Sequence, residues 1–113
     1  MARSDRYSLV EWLEMARKAE YRAHNLSKIL SVCPRQLHRY TQGAFGQSPQ
    51  AWLRDQRLKI AAGMLWRHQS VKAAALTVGF KQVSHFSREF KFYYGLSPAE
   101  FIRWSKAQNV RKR

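Results

Sequence analysis

The sequence predicts an all-α fold of seven helices, arranged as two similar halves around one long helix. Three observations predict it. Apolar residues recur at three- and four-residue spacing throughout the 113 residues, without sustained apolar–polar alternation and without an Asn-Gly or Asp-Gly hairpin dipeptide. Each proline, in Cys33-Pro34, Ser48-Pro49 and Ser97-Pro98, stands where the first turn of a helix loses nothing by lacking an N–H. The chain also repeats itself.

The elements follow in order. A first helix starts near Ser8, with Leu9, Trp12, Leu13 and Ala16 on one face. A second runs from about Tyr21 to Leu30 and presents Ala23, Leu26 and Leu30. A third opens at Pro34 and ends near Gly46. The long fourth runs from Pro49 to about His68, with an apolar stripe of Trp52, Leu53, Ile60, Ala61, Met64 and Leu65, weakened slightly by Gly63. A fifth begins after Ser70 and stops at Gly79, and a sixth covers about Gln82 to Tyr94. The seventh runs from Pro98 to about Lys106, and residues 110–113 are expected to fray. In both Ser-Pro pairs the hydroxyl can cap free backbone N–H groups.

The repeat appears when each residue from Leu37 onward is set against the one 49 positions later. Leu37 meets Phe86, Arg39 meets Arg88, Gly46 meets Gly95, and Ser48-Pro49 meets Ser97-Pro98. Trp52, Leu53 and Arg54 then meet Phe101, Ile102 and Arg103. Upstream the offset is 48: Ala23, Leu26, Ser27, Leu30, Ser31 and Val32 meet Val71, Ala74, Ala75, Val78, Gly79 and Phe80. A one-residue change inside a turn is what a duplicated unit tolerates. Each unit is a short helix, a tight turn and a second helix. In the second unit Ala73, Ala74 and Ala75 let the helices cross closely, Gly79 suits a left-handed turn, and Phe80 plugs the gap.

This is the helix-turn-helix pattern, whose second helix enters the major groove with its N-terminal residues toward base edges. The fold class is therefore two helix-turn-helix subdomains joined by a long linker helix, with divisions at residues 1–48, 49–68 and 69–113. Exposed positions at the reading end are Arg35, His38, Arg39 and Gln42 in the first unit, and Val83, Ser84, Ser87, Arg88 and Lys91 in the second. Leu37, Tyr40, Phe86 and Phe90 face inward by the same phase. The linker's roughly 20 residues span about 30 Å, close to the roughly 34 Å between successive major-groove openings. One chain can then read what other proteins of this type read as dimers, at a DNA-bending cost of order 1–6 kcal/mol.

Charge agrees. Lys and Arg number 21 against 7 Asp and Glu, a formal net charge of +14. Residues 1–20 hold four bases (Arg3, Arg6, Arg17, Lys18) and four acids (Asp5, Glu11, Glu14, Glu20), so the excess lies in the rest, where Asp55, Glu89 and Glu100 are the only acids. Such a field is tolerable mainly with a polyanionic partner: nucleic acid leads, an anionic membrane surface trails, and a merely soluble basic protein is the bland reading. The balanced first segment reads as a solvated helix face or as a partner-facing surface held away from DNA. No stretch approaches the roughly 18 apolar residues of a membrane span, and MARSDRYS lacks the apolar core of a signal peptide. The single Cys33 excludes an internal disulfide and a Cys-based zinc site, and fits a reducing cytoplasm.

Neither catalysis nor a cofactor is expected. Three acids in the basic region leave little for paired-carboxylate chemistry, and His24, His38, His68 and His85 lack metal-ligand spacing. His85 reads as a surface or packing residue. Trp12, Trp52, Trp66 and Trp104 read as core or subdomain-interface residues rather than base-stacking platforms.

The stretch VGFKQVSHFSREFKFYYGLSPAEF, residues 78–101, resembles the signature of the AraC/XylS transcription regulators: Gly-Phe, then Ser-x-Phe-Ser-Arg-x-Phe-Lys, then Gly-x-Ser-Pro before an aromatic. LSKILSVCPRQLHRY resembles the first helix-turn-helix of that family, and SPQAWLRDQRLKIAAGMLW its linker helix. The resemblance implies seven helices in two helix-turn-helix subdomains, binding of double-stranded promoter DNA in adjacent major grooves, and contact with RNA polymerase when activating; the expected state of this portion is a monomer, bound to a bipartite site in a bacterial cytoplasm. Carried over by position, base-reading sites fall on Arg35, His38 and Arg39, and on Val83, Ser84, Ser87 and Arg88. The phosphate anchors read from the chain itself are the backbone N–H groups at helix starts, with Gln42, Arg54, Lys81, Lys91 and Arg103. This chain departs from the family at Thr41, where an aromatic is usual, at Gln82, near an expected Asp or Asn, and at Cys33, where Ser is usual.

The expected function is a sequence-specific transcription regulator, an activator. Two other classes fit the charge: a non-specific nucleic-acid-binding protein, and the DNA-binding fragment of a longer effector-responsive regulator.

Overall fold

The computed structural model describes residues 7–111, and side chains through residue 108. Arg3, Asp5 and Arg6 of the charge-balanced segment lie outside the described residues, as do Lys112 and Arg113 of the end expected to fray. The described residues form seven helices: α1 (Leu9–Lys18), α2 (Ala23–Leu30), α3 (Pro34–Phe45), α4 (Pro49–His68), α5 (Val71–Thr77), α6 (Val83–Tyr94) and α7 (Pro98–Arg111). No described helix is long and apolar enough to cross a membrane. Two compact units divide inside α4, after Arg57.

In the first unit, α1 begins with a reciprocal cap. The Ser8 hydroxyl accepts from the Glu11 N–H at 3.2 Å, and Glu11 accepts from the Ser8 N–H at 3.0 Å. Its buried face is Trp12, Ala16 and then Ala19. Leu9 and Leu13, expected on that face, belong to the adjoining stripe and are exposed. α2 starts at Ala23 rather than near Tyr21, because Glu20 and Tyr21 are both left-handed (φ 54° and 60°) and no helix continues through such a pair. Asn25 ties the turn down by donating to the Ala19 carbonyl at 3.0 Å. Leu26, Leu37, Tyr40, Trp52 and Leu53 complete the core with Trp12. The Trp12 ring meets Phe45 and Trp52 edge-on, at 5.4 and 5.8 Å, while Phe45 and Trp52 stack at 4.4 Å.

The second core is Leu58, Ala61 and Leu65 of α4, Ala74 and Ala75 of α5, Val78, Phe80, and Phe86 and Phe90 of α6. Ala73 of the expected small-residue contact is exposed. Along α4, burial does not follow the one stripe expected: Leu58 is fully buried and Ile60 is exposed. α7 continues to Arg111, past the expected end near Lys106. Trp12 and Trp52 are core residues and Trp66 is half-buried. Trp104 is 46% exposed although it lies against Trp66 and Phe101.

The repeat holds bond by bond. After α2, the Val32 N–H reaches back to the Ser27 carbonyl at 3.0 Å across a left-handed Ser31 (φ 56°). After α5, Phe80 reaches Ala75 at 2.9 Å across Gly79 (φ 89°). Both are the closing bond of a Schellman turn, which favours glycine at the left-handed position. α3 and α6 each end on a left-handed glycine, Gly46 and Gly95. The Ser48 hydroxyl then accepts from Ala51, and the Ser97 hydroxyl from Glu100, both at 3.2 Å. The first unit thus carries Ser31 where the second carries Gly79. Ser31→Gly is expected to stabilise the protein by up to about 1 kcal/mol by relieving the side-chain clash of that conformation. A shift of the urea midpoint to higher concentration checks it; an unchanged or lowered midpoint contradicts it.

Candidate nucleic-acid interface

Each recognition helix is held by an inward row and presents an outward one. In α3, Leu37, Tyr40 and Thr41 are buried. Thr41 occupies the position that Phe90 fills in the second unit; its hydroxyl donates to the His38 carbonyl at 3.2 Å, which satisfies a polar group in the core. The usual aromatic is thus absent, and Trp12 from α1 supplies bulk to that core. At the helix start the Gln36 side chain accepts from the Cys33 N–H at 3.3 Å, and Pro34 takes the first helical position. With this phase fixed, Arg35, His38, Arg39 and Gln42 fall at i, i+3, i+4 and i+7 and are all exposed.

α6 repeats the arrangement. Phe86 and Phe90 are fully buried. Ser84, Ser87, Arg88 and Lys91 fall at the same i, i+3, i+4 and i+7 spacing; Ser87 is half-buried and the others are exposed. Val83, 40% exposed, flanks this row at the first helical position. Gln82 caps the helix without a side-chain hydrogen bond. Lys81 is exposed in the turn just before it. His85 is exposed and lies edge-on to Phe80 at 5.2 Å.

Apart from Val83 and Lys81, the residues anticipated as DNA contacts therefore fall into three settings. Arg35, His38, Arg39 and Gln42 share one row, and Ser84, Ser87, Arg88 and Lys91 share another. Arg54 on α4 and Arg103 on α7 are exposed on neither row; each lies six residues past its capping serine. The first row also borders a groove of about 730 Å³ between α2, α3 and the start of α4. That groove includes His24 of α2.

Beside the second row lies one acid with a purpose. The Ser97 backbone N–H and then the Ser97 hydroxyl, with lesser help from the positive charges of Lys91 and Arg103, hold the Glu100 carboxyl below the usual carboxylate range. A carboxylate with a lowered value in the folded state stabilises that state at neutral pH and loses the contribution as pH falls through its titration. Acid unfolding monitored by circular dichroism should therefore become less steep on the acid side in Glu100→Gln than in the parent; an unchanged acid limb would sink the assignment.

Two helix-turn-helix units with matching outward rows, in a strongly basic chain, define a duplicated DNA-binding module. A helix-turn-helix domain family matches residues 26–103. The chain belongs to the AraC/XylS family of transcription regulators, as a DNA-binding domain. It is 35% identical over 83 residues to an uncharacterised HTH-type transcriptional regulator of Haemophilus influenzae, covering 73% of this chain and 28% of that protein. It is 35% identical over 94 residues to the HTH-type transcriptional activator RhaS of Enterobacter sp. strain 638, covering 81% of this chain and 34% of RhaS. The chain thus spans about a third of the length of the curated relatives it matches. A probable AraC family transcriptional regulator from Rhodopseudomonas palustris superposes with a TM-score of 0.63 at 26% identity, over 82% of this chain and 92% of that one. A DNA-binding transcriptional dual regulator from Escherichia coli K-12 shares the fold with a TM-score of 0.72 at 22% identity, over 84% of this chain and 88% of the other.

Proposed function

We propose that this domain activates transcription by binding alone, without catalysis, as a monomeric unit that inserts α3 and α6 into adjacent major-groove segments of a bipartite double-stranded site. The observation that carries the reading is the pair of outward rows at identical helical spacing, each with an arginine at the same repeat position, Arg39 and Arg88. Arginine bonds guanine through O6 and N7 together, the commonest specific contact in the major groove. In this reading Arg35, His38, Arg39, Val83, Ser84, Ser87 and Arg88 meet bases. Gln42, Arg54, Lys81, Lys91 and Arg103 meet phosphates, which position the protein without reading sequence. Contact with RNA polymerase and action in a bacterial cytoplasm belong to the same proposal, supported by the kinship with proteins named as activators.

Selection of bound sequences from random DNA tests it. The expected product is a site with two conserved elements about one helical turn apart. Enrichment of a single short element would contradict the two-helix reading, and no enrichment at all would favour the non-specific binder.

A further inference from the structure

The two recognition helices are packed by the same pair of ring positions, but the third ring comes from different places. In the second unit Phe90 of α6 lies against Tyr94 and Phe101, with centroids at 4.7 and 5.5 Å. The residues 49 positions before these three are Thr41, Phe45 and Trp52. Thr41 brings no ring, yet Phe45 and Trp52 still meet a third aromatic, Trp12 of α1, at 5.4 and 5.8 Å. Trp12 meets Trp52 edge-on at 72°, as Phe90 meets Phe101 at 76°. The ring has thus moved from the recognition helix to a helix upstream of the repeated stretch. Thr41 is fully buried and Trp12 is 1% exposed. A second observation concerns the Trp12 indole N–H, which is buried with no hydrogen-bond partner among the described residues. A buried donor left unpaired costs free energy, so this tryptophan stands there for its ring and not for its polar handle.

We propose that Trp12 is a positioning residue for the first recognition helix: it stands in for the aromatic that α3 lacks, and so sets where α3 presents Arg35, His38 and Arg39. The inference rests on the DNA-binding reading above. Thr41 and Phe45 lie in the C-terminal half of α3, while Arg35, His38 and Arg39 lie nearer its start. A rigid helix passes a shift of its seat on to its reading end. A guanine contact made through two hydrogen bonds tolerates little such displacement, since these bonds weaken steeply with angle. Phe45 belongs to α3 and Trp52 to α4, so Trp12 braces the stacked pair that joins the two helices. α6 carries the corresponding ring itself, as Phe90. The first helix of the domain then contributes to base reading without touching a base.

The test is competition binding of the full chain on its selected site and on versions with one or the other element scrambled, so that the α3 and α6 elements are scored separately. Arg39→Ala and Arg88→Ala identify which element belongs to which helix. Trp12→Leu is expected to lower discrimination at the α3 element by about 5-fold or more, the lower end of what one bidentate base contact supplies. Discrimination at the α6 element and affinity for random DNA should hold. Trp12→Phe keeps a ring and should lose less. Thr41→Phe alone overfills the core and should lower the urea midpoint. In the W12A/T41F double variant the ring returns to the recognition helix, and both the midpoint and the α3-element discrimination should recover above those of Trp12→Ala. Equal losses at both elements in Trp12→Leu, equal losses on random DNA, or no loss at all overturn the proposal. So does a double variant no better than Trp12→Ala. A parent chain that selects no site would overturn the DNA-binding reading instead.

Discussion

Replacing Phe90 by Ala is expected to destabilise the protein by about 3–5 kcal/mol, the range for removing a large aromatic from a close-packed core. Phe90 is fully buried, with ring centroids of Phe86, Tyr94 and Phe101 at 5.6, 4.7 and 5.5 Å. No single neighbour can swing in to fill the space, since each is itself held by other rings. The loss is comparable with the whole stability of many domains, about 5–15 kcal/mol. It should appear as a large fall in the urea midpoint, reported by Trp66 and Trp104 fluorescence. Phe90→Leu should cost far less, because it keeps most of the volume. A loss below about 1 kcal/mol for the alanine variant would mean that the ring does not fill this core. The first unit has Thr41 at the corresponding position, so no substitution there can mimic the effect.

The second large effect concerns specificity. Arg39→Ala and Arg88→Ala are each expected to reduce discrimination between the selected site and random DNA by about 5- to 150-fold, equivalent to 1–3 kcal/mol of base readout. Both side chains are exposed and neither core contains them, so the folded state should survive. Lys91→Ala, by contrast, should weaken both kinds of DNA alike and lower the salt-dependence slope by about one. Competition binding at several salt concentrations separates these outcomes. Equal losses on cognate and random DNA would remove Arg39 and Arg88 from base reading.

Much of this architecture is legible in the residues. Pro34, Pro49 and Pro98 each open a helix, and Gly46 and Gly95 close one. Such signals act through the local backbone, so they survive without knowledge of packing. The outward rows are legible for a related reason: Leu37 with Tyr40, and Phe86 with Phe90, fix the helix phase and leave the opposite side to solvent. What escaped depends on neighbours distant in sequence. Leu9 and Leu13 have the spacing of a buried face, yet packing selects Trp12, Ala16 and Ala19 instead. Ile60 and Leu58 are equally apolar, and tertiary contacts choose between them. The start of α2 was hidden because neither Glu20 nor Tyr21 is a residue that announces a left-handed turn. The groove beside α3 is not legible either, because it is a property of three helices together.

α4 supplies Trp52 and Leu53 to one core and Leu58, Ala61 and Leu65 to the other. Cooperativity is the property this governs. Cores built on separate elements can open independently, each with its own local free energy. Each core is expected to open together with the stretch of α4 that it packs: Trp52 and Leu53 with the first, Leu58, Ala61 and Leu65 with the second.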